Sequence, residues 1–460
     1  MREPDPAGAA AAPPASPAAP RWSDPAWLDT LRAHGDPVGD ACARAMAAEA
    51  DAREAAGLRP ANVTRGVLAR LRENDLRLPT DAPAPLRDFF DATYRWCPSC
   101  GGPELPAWVD RGRIIRGQKA FMERSVPALL VLLCKSLPEG YAAPSMAIVL
   151  NMSGDLRARP YHRLMGTLQL LLEVTEPYSF ERSGIALVAG QEMRLLHAGV
   201  RTNVAPRVLG ADGLARFTAR YGTPINQEDM IGTIVGFSLL VVEGLATLGL
   251  PLDERTAEDY YYVWKVFAHL MGVRVPGLPE DADHMPPTLA DARAFYAAYR
   301  RHYVGPTAPT GDFRAAALAA NPDGVALADA HVTMLGRFIA GREARAGVSG
   351  DDGTDATGLV GGALESAGEH AARRYVHLLT GDAACARIGL APPSGWHLLG
   401  ELLAALPRWW ERVWDHADPE VHVAASEWLF GRLVHDTFRR GVRYPLPTSV
   451  DDLHALSMHG

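Results

Sequence analysis

The chain of 460 residues has few of the features that identify common classes of protein. Its five cysteines are too few and too scattered for a disulfide framework, and their odd number indicates reduced thiols. Cys97 and Cys100 form a CxxC pair, but no second pair follows to complete a zinc site, so we expect a turn there. The formal net charge of −8 argues against a nucleic-acid-binding protein, which usually has a basic balance.

Long apolar runs and targeting segments are also missing. The longest uncharged run, residues 230–242, is 13 residues long, whereas a helix that crosses a bilayer needs about 20. We therefore predict a buried core helix and no integral membrane segment. Residues 1–22 are mostly Ala and Pro and lack the apolar region of a signal peptide, so they are predicted to be a disordered tail. These features together predict a cytoplasmic protein.

The sequence contains none of the common metal and nucleotide motifs HExxH, GxxxxGK[ST] and GxGxxG after a strand, and no GxSxG elbow. It does contain apolar residues at helical spacing nearly throughout, separated by Pro, Gly and Asp, while period-two alternation is scarce. This pattern predicts an all-α protein. The predicted regions are a tail at 1–22, an N-terminal helical region at 23–110, a core at 111–275, and a C-terminal helical region at 276–460 with a mobile loop at 347–362.

The most informative segment surrounds His197, which lies on an otherwise apolar predicted helix. Arg194 precedes it by three residues and Arg201 follows it by four, so the three side chains share nearly one helical face. One neutral nitrogen donor between two positive charges suits a dianionic, iron-centred ligand such as haem. A polar stripe on an amphipathic helix explains the same spacing, and the spacing alone does not decide between them.

Three further segments place polar residues on predicted helices. Arg163 and Thr167 are four residues apart and face the same way, and a buried Arg must be paired or must meet an anion. An interhelical salt bridge and a role in a site are equally open for Arg163. Asn226 is suited to cap a helix whose first turn contains Asp229. His269 lies on an apolar helix, where a satisfied core histidine is the commoner case than a metal ligand.

Taken in order, six segments resemble the catalytic domain of the latex-clearing-protein and MpaB oxygenase family. The segments are residues 111–118, 141–144, 163–167, 194–201, 225–229 and 269–273. No single segment is diagnostic, but all six occur in the family's order. The resemblance covers roughly residues 111–275 and implies a mostly helical, globin-like core that binds haem b, with additional N- and C-terminal helices.

The resemblance also implies a role for each predicted site residue. His197 matches the axial ligand of the haem iron, and Arg194 and Arg201 match arginines that reach the haem propionates. Arg163 and Thr167 match residues of the distal pocket, whose polarity decides between binding and activation of dioxygen. The implied function is a haem-dependent oxygenase that uses dioxygen to cleave or oxidise a C=C bond of a small apolar substrate.

Two departures separate this chain from the rubber-cleaving members that it resembles. Gly166 occupies the place of a distal lysine, and residues 143–150 contain no counterpart of a pocket glutamate. The base of the rubber mechanism is therefore absent or is supplied from elsewhere in the chain. A small intracellular alkene, such as a prenyl chain or lipid, is expected rather than rubber. The alternatives are a haem-binding sensor or carrier of the same fold, or a helical protein without a cofactor.

Overall fold

The computed structural model describes residues 19–55, 78, 80–93, 96–97, 102–152, 160–181, 184–302, 312–339 and 359–393. Within these ranges the regular structure is helical except for one short ladder, in which Trp96–Cys97 pairs antiparallel with Gly102–Pro103. The predicted all-α class is confirmed. The turn predicted at the CxxC pair falls between the two strands, at residues outside the described ones.

The α-helices of the described residues are, in chain order, α1 (Ala19–Trp22), α2 (Pro25–Leu31), α3 (Pro37–Ala55), α4 (Ala84–Thr93), α5 (Arg111–Glu123), α6 (Ser125–Val131), α7 (Leu137–Ala142), α8 (Pro144–Asn151), α9 (Pro160–Thr175), α10 (Ile185–Gly199), α11 (Ala205–Tyr221), α12 (Gln227–Phe237), α13 (Leu239–Thr247), α14 (Glu254–Leu270), α15 (Leu289–Tyr299), α16 (Phe313–Ala320), α17 (Pro322–Ile339), α18 (Leu359–Thr380) and α19 (Asp382–Arg387). Two π-helical segments, Leu132–Ser136 and Val200–Val204, and one 3₁₀ turn, Arg300–His302, continue α6, α10 and α15.

Polar side chains set the starts of the central helices. Asn226 caps α12 by accepting a hydrogen bond from the backbone N–H of Asp229 at 3.0 Å, as its sequence predicts. Asp253 caps α14 in the same way, and Thr288 with Asp291 forms a capping box at the start of α15. These caps fix where the helices around the core begin.

One apolar core extends from Trp22 to Leu390 and includes the apolar faces of α12, α13 and α14. Residues of all four predicted regions belong to it or border it. Residues 19–22, predicted as part of the tail, form α1, and the ring of Trp22 packs edge-to-face against Trp27 and Phe295. Of the loop predicted to be mobile, residues 347–358 lie outside the described ones and residues 359–362 begin α18. The four-region division itself stays a prediction.

The helical stretch Gln227–Thr247 is long and apolar enough, by composition, to cross a membrane, and the bent pair Ser125–Ala142 and Pro144–Asn151 passes the same test. Within Gln227–Thr247, 72% of the apolar window is buried inside the protein, which agrees with the core helix predicted there. The stretch is also broken at Ser238, where the backbone leaves helical geometry between α12 and α13.

Candidate functional site

A cavity of about 250 Å³ lies among α7, α8, α9, α10, α12, α13 and α14. Its wall includes three of the residues predicted from sequence, namely Arg163, Thr167 and His197. Most of the remaining wall is apolar and is formed by residues such as Met193, Leu196, Leu240, Trp264, Phe267 and Met271. The structure thus brings the predicted iron ligand and the predicted distal residues to one mostly apolar cavity.

His197 is partly buried, and its Nδ1 atom is fully buried and has no hydrogen-bond partner among the described residues. Burial, together with the positive charges of Arg201 and Arg163, lowers the pKa of His197 to about 3. The ring is therefore neutral at physiological pH and keeps a nitrogen lone pair. The two ring nitrogens of His331, another buried histidine, are by contrast near the Leu133 carbonyl and the Tyr141 hydroxyl.

An unpartnered buried nitrogen such as Nδ1 of His197 is uncommon, since buried polar groups nearly always have a partner, although His269 and His377 each contain one as well. The position of His197 on the wall of an apolar cavity fits the axial ligand of a haem iron, which takes a neutral imidazole nitrogen. Within the described residues, no group of three or more His, Cys, Asp or Glu side chains is placed to hold a metal ion. A haem needs no such group, because its own ring supplies the other nitrogen ligands.

Arg163 and Thr167 lie one turn apart on α9, and the Thr167 hydroxyl donates to the Arg163 carbonyl at 3.2 Å. Between them, Gly166 leaves part of the cavity wall without a side chain. The charge of Arg163 contributes to the lowered pKa of His197, and both residues line the same cavity. Arg163 therefore lines the cavity, and both a salt bridge and a role in a site stay open for it.

Arg194 and Arg201 do not line the cavity. The Arg194 guanidinium forms two hydrogen bonds with Asp36, at 2.6 and 2.8 Å. Arg201 donates to the Asp40 carboxylate at 2.8 Å and to the Ile225 carbonyl at 3.1 Å. The anions that these arginines bind here belong to the chain itself. Their predicted role at haem propionates stays a prediction, and the buried Nη2 of Arg201 is a donor without a partner among the described residues.

The division of α10 into two faces explains why the arginines turn away from the cavity. Arg194, Ala198 and Arg201 follow one another at helical spacing and face α3, where Ala198 lies close to Gly39. Met193 and His197 lie four residues apart on the neighbouring face and line the cavity. The spacing that suggested one common face thus corresponds to two adjacent faces with different partners.

The Asp36–Arg194 pair is almost fully buried, with exposed side-chain fractions of 1% and 2%. Burial would raise the pKa of Asp36, but the hydrogen bonds and charge of Arg194, with the charge of Arg201, hold it below its usual value. Gly272, at a φ of 80°, lies against Arg194, so that a Cβ atom there would be 2.5 Å from the guanidinium Nε. Gln227 donates to the carbonyls of both Gly35 and Gly272. Several residues of the segments that resemble the family therefore join the N-terminal helices to the core.

Ile225 lies between this cluster and the cavity. Its φ of 50° is in the left-handed region, which β-branched residues rarely adopt. The bond from Arg201 to its carbonyl helps to hold this conformation, and its side chain lines the cavity. Strained backbone of this kind persists only where the surroundings fix it, often beside a functional site.

Two carboxylates on the cavity wall were missed by sequence reasoning, Glu139 and Asp229. Glu139 pairs with Arg300 at 3.1 Å, and burial raises its pKa. Asp229 accepts hydrogen bonds from Tyr299 at 3.1 Å and from Ser145 at 3.3 Å. Burial raises the pKa of Asp229 to about 6, with a further contribution from the neighbouring carboxylate on α12. Residues 143–150 contain no carboxylate, but the chain supplies two to the same space from elsewhere.

A family model described as the catalytic domain of ER-bound oxygenase mpaB/B'/rubber oxygenase matches residues 124–409. A rubber oxygenase of Streptomyces sp. (strain K30) is 25% identical over 220 residues, which cover 47% of this chain and 50% of that protein. The match therefore spans half the length of this curated relative.

The fold is similar to a solved structure of latex clearing protein LCP in the closed state. The TM-score is 0.54, and the superposition covers 93% of this chain and 91% of that one at 19% sequence identity. This likeness shows the fold, while the family model spans well over half of the sequence and indicates an oxygenase. The chain belongs to the MpaB and latex-clearing-protein family of oxygenase catalytic domains.

Proposed function

We propose that this chain is a haem b-dependent oxygenase that uses dioxygen to cleave or oxidise a C=C bond of a small apolar substrate. The observation that carries the proposal is the neutral imidazole of His197 on the wall of an apolar cavity, with its buried Nδ1 atom unpartnered among the described residues. Membership of an oxygenase family supports the reaction class.

The residues of the cavity have separable roles in this proposal. His197 holds the iron through a neutral nitrogen, and haem, when bound, supplies the activation of dioxygen. Arg163 orients polar atoms at the cavity by donating hydrogen bonds, and the Thr167 hydroxyl, which donates to the Arg163 carbonyl, keeps an oxygen that accepts one. The apolar walls around Trp264 and Phe267 bind the alkene and exclude water, which strengthens those hydrogen bonds.

The absorption spectrum of the full chain, produced with added iron and haem precursor, tests this proposal. We expect a Soret band in the wild type and its loss, or at least a tenfold weakening of haem retention, in His197→Ala. Failure of the wild type to retain haem after reconstitution would refute the cofactor assignment.

His269→Ala is the matched control for this experiment. His269 is also partly buried on an apolar helix, and burial is likewise the largest cause that lowers its pKa, to about 3. Its ring packs against Trp108 and His284 and does not line the cavity. Haem retention should therefore persist in His269→Ala, and the reverse pattern would show that the wrong ligand is assigned.

Gly166 favours one second candidate, a haem-binding sensor or carrier without turnover. A glycine on the cavity wall donates nothing from a side chain where rubber-cleaving relatives are expected to have a lysine. Dioxygen consumption with a panel of small isoprenoid and lipid alkenes separates the two functions. Haem retention without substrate-dependent dioxygen consumption would favour the sensor or carrier.

A further inference from the structure

Ser145, Asp229 and Tyr299 form a partition between two voids. One side of the partition lines the cavity that contains His197. The same three residues line a second, smaller chamber of about 20 Å³. The Asp229 carboxyl group, with the Ser145 and Tyr299 hydroxyls beside it, therefore separates the proposed site from the smaller chamber.

The inner chamber adjoins an outer pocket of about 170 Å³. Arg32, Pro144 and Tyr221 line both spaces, so the two adjoin each other. The wall of the outer pocket also includes Arg220 and Arg387, of which Arg220 is exposed to solvent. Three adjoining voids thus run from the surface to the cavity wall at the position of Asp229.

The size and lining of the inner chamber determine what it can hold. A void needs about 10–15 Å³ to hold one water, and that water needs two to four polar partners. The chamber is just above this limit, and its wall supplies the side chains of Asp229, Ser145, Glu228 and Tyr299. It therefore suits a single water and excludes an organic substrate.

The surroundings of Asp229 allow its carboxyl group to hold a proton or to release it near neutral pH. Its carboxylate accepts hydrogen bonds from the Tyr299 and Ser145 hydroxyls, and its second oxygen accepts one from the Asn226 amide at 2.9 Å. Burial and the charge of Glu228 raise its pKa to about 6, opposed by Tyr299, Arg32 and Ser145. Both protonation states are therefore populated near neutral pH.

The charged and titratable groups around Asp229 come from several elements. They are Glu228 on its own helix, Arg32 after α2, Glu139 and Tyr141 on α7, Tyr299 on α15, Arg301 in the 3₁₀ turn, and Arg163 and His197 at the cavity.

We propose that Asp229 exchanges protons between the His197 cavity and solvent, through one water in the inner chamber. Asp229 accepts a proton from a donor in the cavity, passes it to the chamber water, and that water releases it through the outer pocket. The carboxylate is restored, and nothing is oxidised or reduced. The use of this exchange in catalysis rests on the proposed oxygenase function, whereas the exchange itself requires only the chain.

Infrared spectroscopy of the full chain without added haem measures the exchange directly. We expect a carboxylic acid C=O band that disappears with a midpoint near pH 6. The band should be absent in Asp229→Asn, which keeps the size of the side chain, and present in Glu139→Gln, which removes the other cavity carboxylate. A band that does not titrate between pH 5 and 7.5, or one that persists in Asp229→Asn, would overturn the proposal.

The proton route through the inner chamber is tested by hydrogen–deuterium exchange. The rate measured is that at which the C=O band of Asp229 shifts after the protein is transferred from H₂O to D₂O at pH 5. Ala143 is buried and lines the inner chamber, so Ala143→Ile should fill the space of the water and slow the shift at least tenfold. Ala147→Ile is the matched control, because Ala147 is equally buried on α8 but lines none of the three voids. Ala143→Val gives the same comparison with a smaller side chain if Ala143→Ile does not fold. Equal rates in the wild type and the filled variants would overturn the proton route.

Turnover of the haem-loaded chain separates this proposal from the oxygenase proposal. Asp229→Asn should retain the Soret band, lower turnover at least tenfold and remove the limb of the pH profile near pH 6. An unchanged pH profile in an active Asp229→Asn variant would contradict the role of Asp229 and leave the oxygenase proposal intact. Absence of haem from the wild type would refute the oxygenase proposal and leave the infrared result unaffected.

Discussion

The two buried arginines of α10 show how strongly a single side chain depends on its partner. Arg194 is 2% exposed, so its charge is stable only because Asp36 offers both carboxylate oxygens to it. Removal of one member of such a pair leaves a buried charge without compensation, which costs about 3–5 kcal/mol. Neither residue needs to contact a ligand for its substitution to disable the protein.

A double-mutant cycle on Asp36 and Arg194 tests this interpretation. We expect Asp36→Asn and Arg194→Met each to lower the free energy of unfolding by about 3–5 kcal/mol, and the double variant to lose less than the sum. Urea unfolding measures all four proteins. Additive losses would show that the two side chains are not coupled in the folded protein.

Three of the residues predicted from sequence line one cavity, for identifiable physical reasons. His197, Arg163 and Thr167 reach the cavity because each lies on a helix whose apolar period was visible in the sequence. The partner of Arg194 could not be predicted, because Asp36 is 158 residues away along the chain. Asp229 was recognised only as a residue of the first helical turn, since its contacts with Ser145 and Tyr299 depend on tertiary packing.

The close contact between α5 and α14 is the clearest case of an element placed by one small residue. A Cβ atom at Gly117 would overlap the backbone carbonyl of Asp259 and lie 2.7 Å from a methyl group of Val263. Beside this contact, the Asp259 carboxylate accepts hydrogen bonds from Arg113 and Arg116, both at 2.7 Å. Gly117 thus allows the approach of the helices that these two arginines then hold.

Gly117→Ala is expected to push α5 away from α14 and to lower the free energy of unfolding by at least about 2 kcal/mol, because a backbone atom cannot move aside as a side chain can. Gly362→Ala on α18 is the matched control, since a Cβ atom there meets nothing within 4 Å. This control should leave stability unchanged or raise it by up to about 1 kcal/mol. Thermal unfolding of both variants measures the difference, and equal midpoints would contradict the close packing.

Helix positions followed from apolar periodicity, but the irregular elements did not. The π-helical segment Val200–Val204 follows α10 directly, and nothing in its sequence distinguishes it from ordinary helix. Such segments are frequent near functional sites and depend on the packing around them. The sequence likewise contained no signal for the left-handed backbone of Ile225.

Three histidines whose pKa values are lowered by burial make the stability of the whole molecule depend on pH. Burial lowers the pKa of His197 and His269 to about 3 and that of His331 to about 4. These rings stay neutral in the folded chain, whereas in the unfolded chain they bind protons below a pKa of about 6.5. Asp229 acts in the opposite direction, because it binds a proton below about pH 6 in the folded chain and only below about 3.8 in the unfolded chain.

Without a bound cofactor, the chain should therefore lose stability as the pH falls from about 6.5 toward 4. Near pH 5, unfolding takes up about two protons net from these four groups, and each proton corresponds to about 1.4 kcal/mol per pH unit. Urea unfolding across this range measures the slope. His331→Gln should reduce the uptake by about one proton, and a slope unaffected by that substitution would contradict the assignment.

The ion pairs of Asp36 with Arg194 and of Asp40 with Arg201 have a consequence for synthesis of the chain. The paired residues are 158 and 161 positions apart. At a translation rate of about 5–20 residues per second, the ribosome adds each arginine roughly 10–30 s after the aspartate that pairs with it. During that interval neither carboxylate can be buried without a large penalty. The first helices to be made are therefore among the last to take their final place.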